Sequence, residues 1–322
     1  MGDSSLDSFR VLAKEIIDLS NEHFQNLPIA PAAEVLKTIP SNLPSFIGNT
    51  DSSRAIRAAY VTHIISNTLC YRVFGPFLFS LGRRYDKADS LFQAMSNELR
   101  QKSHRREAMW RQQTLYAAYT ASSAKKATNA TAGAVVEEIV SQIKPFADPR
   151  RKELITIAVT RIVKRAAETW RYARLEREMI TARMPAAEDV ADDQDVEWPA
   201  QTYEGKDFPM GTLSGGAEPQ RMLLRLLPII SREPIHEVFQ TDTNEPDHGC
   251  TYLSGLALYS DALPVISRQH ELNSKSSNRS HPDAPSGLDQ GAYSTRRTSL
   301  DQVRRQLRED RESRSRSRSP EE

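Results

Sequence analysis

The chain has 322 residues, 43 Lys/Arg against 42 Asp/Glu and a formal net charge of +1, so overall charge singles out neither nucleic acid nor an acidic substrate as partner. Two cysteines, Cys70 and Cys250, exclude a disulfide framework. The most apolar stretch, Ala58 to Leu81, is interrupted by His63, Arg72, Gly75 and Pro76, which excludes a membrane span.

The opening Met1-Gly2-Asp3-Ser4-Ser5-Leu6 runs straight into an amphipathic pattern without an apolar signal segment. Leu6 occupies the position where N-myristoylation needs Ser or Thr. A cytoplasmic or nuclear location is expected, not secretion.

Phe9, Leu12, Ile16 and Leu19 recur at spacings of three and four and predict a first helix ending before Pro28. Pro31 starts a short helix through Leu36, and Pro40 and Pro44 close that region. Asp51 reads as the N-cap of a helix carrying Ile56, Tyr60, Ile64 and Cys70 towards Gly75-Pro76. Leu91, Phe92, Met95 and Leu99 mark a further helix, and the pattern returns over 109–119 and 134–143. Asp148 as cap and Pro149 at the first position open a helix whose stripe is Ile155, Val159, Ile162, Ala166, Trp170 and Ala173, with Pro185 as its stop.

These patterns predict an all-α fold, a multi-helix antiparallel bundle over 1–184. An acidic linker containing Gly and Pro follows over 185–217. Helical character is expected again from Pro219 to Ile230, with Met222, Leu223, Leu226 and Leu227 as its apolar patch. Residues 218–269 would then be short docking segments packed on the bundle. Beyond Leu272 the only large apolar residues are Leu288, Tyr293, Leu300, Val303 and Leu307, which predicts a disordered, Arg/Ser-rich tail over 270–322.

Phe74-Gly75-Pro76-Phe77-Leu78, the run from Ile162 to Arg171, and Gly249-Cys250-Thr251-Tyr252 resemble segments of uncharacterised helical proteins of filamentous fungi. The resemblance spans roughly residues 40–272 and implies a helical domain without an assigned activity.

Catalytic motifs fail on their own chemistry. Leu213-Ser214-Gly215-Gly216 resembles the signature loop of ATP-binding-cassette ATPases, but no G-x-x-x-x-G-K-[ST] loop exists to cradle the phosphates. His236-Glu237 lacks the second His that a zinc-peptidase helix needs, and His248 with Cys250 lacks a paired ligand spacing. No G-x-S-x-G elbow occurs. Glu137-Glu138 and Asp192-Asp193 are expected on a helix surface and in the linker, without the burial that tunes a general acid. No enzyme activity, metal or cofactor is expected.

Charge is segregated along the chain. Residues 150–183 hold ten Lys/Arg against four Asp/Glu, and 186–207 hold one against eight. Arg161, Lys164, Arg165, Arg171 and Arg174 are the candidate basic surface of the helix over 149–183, able to follow phosphates or to receive the acidic linker. In the tail, Arg296-Arg297-Thr298-Ser299-Leu300 fits a basophilic kinase substrate. Ser313, Ser315, Ser317 and Ser319 alternate with arginines, and phosphorylation would turn that basic run into one of alternating charge. The expected function is a non-enzymatic scaffold or regulatory protein that binds protein partners, with a kinase acting on its tail. The alternative is a nuclear RNA- or DNA-associated factor using the basic helix and the Arg-Ser tail.

Overall fold

A computed structural model describes residues 2–81, 86–184, 200–203, 221–235 and 249–277. The chain divides into one unit ending at Lys275 and a second beginning at Ser276, of which only Ser276 and Ser277 are described. The expected linker, the Leu213–Gly216 loop, His236, His248 and nearly all of the tail therefore lie outside the described residues.

The helices are α1 (Gly2–His23), α2 (Ala33–Leu36), α3 (Asp51–Leu69), α4 (Asp86–Lys102), α5 (His104–Thr120), α6 (Ala124–Ile143), α7 (Lys152–Ala173) and α8 (Leu263–Ser277). The strands are β1 (Ile180–Arg183), β2 (Ala200–Thr202), β3 (Met222–Leu227), β4 (Ile229–Arg232), β5 (Cys250–Leu253) and β6 (Gly255–Tyr259). Helix dominates, and among the described residues no helix is long and apolar enough to cross a membrane. The all-α expectation is nevertheless overturned by two three-stranded sheets, β1-β4-β5 and β2-β6-β3.

The strands form a long antiparallel hairpin bent at its middle. β3 and β4 are separated by Pro228 alone, and β5 and β6 by Ser254 alone. β4 pairs with β5 (Ile230 opposite Leu253) and β3 with β6 (Leu227 opposite Leu256). Pro228 has no N–H to donate, so the ladder breaks there and the chain passes from one sheet to the other. Each half then recruits a third strand: β1 joins β4 antiparallel, and β2 joins β6 in parallel.

The expected helix over 219–230 is corrected by this hairpin. Met222, Leu223, Leu226 and Leu227 fit a helical spacing, but Leu224, Arg225, Leu226 and Leu227 are buried consecutively. A helix at a protein surface buries one stripe, whereas a strand covered on both faces buries an unbroken run. β3 packs against α3, which is itself buried on nearly every side.

α7 is also shorter than expected: it ends at Ala173, the chain turns, and β1 begins at Ile180. The turn that follows it is held by a side chain from another helix. The buried Arg111 of α5 donates from Nη1 to the carbonyls of Arg174 (2.5 Å) and Glu176 (2.8 Å), and from Nη2 to that of Arg177 (2.9 Å). A guanidinium at a helix C-terminus satisfies orphan carbonyls and opposes the negative end of the dipole. Glu107 accepts from Arg111 Nε at 2.9 Å and fixes the group.

The α7 stripe is buried at every expected position. It meets α1, through Phe9 against Trp170, and α6 in one core that continues into Leu226, Ile230, Leu253 and Leu258 of the hairpin. A smaller cluster under α4 and α5 centres on Phe77, which stacks on Phe92 at 5.4 Å. α7 also begins later than expected: Asp148 accepts from the Arg150 N–H (2.9 Å) and caps a single 3-10 turn, Pro149–Arg151, that leads into α7 at Lys152. At α3 the cap is one residue earlier than expected: Thr50 accepts from the Ser53 N–H, and Asp51 is the first helical residue.

Candidate functional site

With its stripe turned inward, α7 leaves its opposite face outward beside the start of α1. That face forms an open trough of about 840 Å³ that includes Ser8 of α1. Ile157 and Tyr172 stand near its two ends, 68% and 54% exposed. Between them lie Arg161, Lys164, Arg165 and Glu168. Spacings of three and four put these residues on one side of the helix.

The charges in the trough are mixed. Glu15 of α1 lies 3.0 Å from Arg165 Nε and 3.8 Å from Arg161 Nε. Neither Lys164 nor Glu168 makes an ion pair among the described residues, although they are four apart on the helix. A surface helix ordinarily satisfies such charges with water, and these two are available to a partner.

Of the five expected basic residues, three line the trough. Arg171 lies outside its lining and rests over the rings of Tyr119 (5.5 Å) and Tyr172 (5.2 Å). Arg174 is not a surface residue. It is 7% exposed, with its guanidinium over the Phe77 ring at 5.0 Å and Nη1 3.6 Å from the Met179 sulfur. Its Nε and Nη2 have no hydrogen-bond partner among the described residues, and burial, with Arg111 nearby, lowers its pKa to about 10. The signal was present in the spacing, since Arg174 follows Trp170 by four and so shares its buried side. Ser299, Ser313, Ser315, Ser317 and Ser319 lie outside the described residues.

A second open groove, about 890 Å³, runs beside α6 past Tyr71, Leu78, Ala130 and Val135. Arg72 and Glu138 close one side of it through a forked ion pair, with Nε 3.1 Å from Oε2. Both charges are thus already matched to each other.

Other groups with chemical potential are bound into the structure. His63 of α3 donates from Nδ1 to the Arg225 carbonyl at 2.6 Å, and burial holds its pKa below the usual histidine value. The Cys70 thiol faces the Ala182 carbonyl at 3.7 Å, and burial pushes it up to about 11, so it is a poor nucleophile at neutral pH. Among the described residues no group of three His, Cys, Asp or Glu could hold a metal ion.

Compared with protein-family models, with curated proteins and with solved structures, the chain matches none.

Proposed function

We propose that the chain is a non-enzymatic interaction protein, a scaffold or regulatory component, that receives a helical segment of a polypeptide along the α7 trough. The reading rests on one observation: two exposed apolar side chains, Ile157 and Tyr172, bracket a cluster of both charge signs. Aromatic and aliphatic anchors among polar groups suit a protein partner. A phosphate-tracking surface needs an excess of cations, whereas Glu15 faces two of the arginines and Glu168 and Glu176 share the trough. In this reading the tail is the regulated part, with Ser299 and the serines at 313–319 as kinase sites.

Affinity purification of the full chain from its native cells, beside the variant Ile157→Glu, tests the proposal. The expected result is a bound polypeptide that the variant loses while its circular dichroism stays unchanged. Salt-dependent binding to single-stranded or duplex nucleic acid, weakened by Lys164→Glu, would replace this reading with the nuclear-factor one. Phosphopeptide mapping tests the tail separately, and unmodified Ser299 and 313–319 serines under every growth condition would remove that part.

A further inference from the structure

The trough pattern is complementary to its own reverse along the helix. Outward from the peptide bond between Lys164 and Arg165, Arg161 is matched by Glu168, Thr160 by Thr169, and Ile157 by Tyr172. Each pair is equidistant from that point. The first pair has opposite charges, the second consists of two threonines, and the third of two large apolar side chains.

A helix face with this arrangement is complementary to itself when turned end for end. In a two-fold symmetric pair each contact occurs twice, because the same patch is used by both subunits. We infer that the occupant of the α7 trough is the α7 helix of a second copy of this chain, packed antiparallel about a two-fold axis that crosses between Lys164 and Arg165. This rests on the reading of the trough as a protein-binding surface and names its partner.

In the pair, Ile157 of each copy lies against Tyr172 of the other, and Arg161 against Glu168. The matched stretch covers about 22 Å of helix at 1.5 Å per residue, enough for apolar packing at both ends and charge pairing between them. Lys164 and Arg165 of one copy meet Arg165 and Lys164 of the other at the axis. Glu15 lies 3.0 Å from Arg165 and offsets it, which leaves the two Lys164 ammonium groups as the unmatched charges among the α7 side chains of the trough.

That imbalance gives a test in which a substitution strengthens the assembly. Lys164→Glu would face Arg165 of the second copy and turn two repulsions into two attractions. Sedimentation of the full chain across the micromolar range, with circular dichroism as the folding control, is the measurement. Dimer formation is expected to tighten about tenfold in Lys164→Glu, and to weaken at least about tenfold in Arg161→Glu and in Glu168→Arg. The double variant Arg161→Glu/Glu168→Arg restores most of the loss, because both pairs are exchanged together.

A chain that stays monomeric, with Lys164→Glu monomeric as well, overturns the inference, as does a dimer indifferent to the charge exchange. A monomer that still captures a different polypeptide, lost on Ile157→Glu, overturns the second-copy partner and leaves the interaction reading standing. A monomer that captures nothing removes both.

Discussion

Arg57 on α3 and Arg174 just beyond α7 are both buried arginines, and burial lowers the pKa of each to about 10. Their surroundings are opposite. Arg57 is 0% exposed and donates to the backbone carbonyls of Phe24 (2.8 Å), Gln25 (2.9 Å), Phe46 (3.1 Å) and Gly48 (2.7 Å). Gly48 lies at φ 145°, in the region that favours glycine, and its carbonyl is one of those receiving Arg57. Arg57 therefore ties two loops to α3 without a carboxylate, while Arg174 has an aromatic face, a sulfur and two unsatisfied nitrogen atoms. A buried cation is structural when its donors are used, and burial by itself marks neither function nor stability.

The largest test of this contrast is Arg57→Met. It leaves four carbonyls without their donor, and a loss of about 3 kcal/mol or more is expected by chemical denaturation. Ile162→Ala, in the α7 stripe, serves as the apolar benchmark, with a loss of about 2–4 kcal/mol from transfer and cavity effects.

A smaller effect is expected from pH. Burial lowers the folded pKa of His63 below its reference value of 6.5, so the folded state binds fewer protons than the unfolded one. The stabilisation is complete above about pH 6.5 and is lost as pH falls below it. Burial pushes Glu271 of α8 up, but hydrogen bonds from Arg268, Thr50 and Ser52 outweigh that and hold the carboxyl below its usual 4.5. Its contribution is lost only in more acidic solution, below about pH 4.5. His63→Gln, which keeps a donor for the Arg225 carbonyl, should remove the upper part of the stability-pH profile and leave the lower part. An unchanged profile would detach His63 from it.

The smallest effect belongs to Arg174→Met. Its removal strands no hydrogen-bonded carbonyl among the described residues, and relief of two unsatisfied buried donors offsets the lost sulfur and ring contacts, so stability should change by less than about 1 kcal/mol. A loss as large as that of Arg57→Met would erase the distinction between the two regions.

The α7 stripe was legible because one face of a single helix was buried, the condition under which a 3.6-residue period carries information. The hairpin was not, because strands covered on both sides have no polar alternation, and a Leu-rich run fits a helix as well. Pro228 between two apolar runs was the available warning of a strand break. The turn after Ala173 is held by Arg111, 63 residues from Arg174 in sequence, and local pattern does not register such a partner. At the trough, the cations stood out by composition. Ile157 and Tyr172 did not, since an apolar residue off the main stripe reads as surface scatter until its neighbours are known.

The contacts of Arg268 and Glu271 also have a kinetic consequence. Arg268 donates from Nε to the Ser45 carbonyl, 223 residues away in sequence, and Glu271 accepts from the Thr50 and Ser52 hydroxyls at the start of α3. At a synthesis rate of about 5–20 residues per second, the segment carrying these two side chains follows α3 by on the order of ten seconds or more. During that interval the helix with the most buried residues among the described helices lacks its latch. Folding to completion must therefore wait for the last described helix, and the emerging chain spends that time open to chaperones.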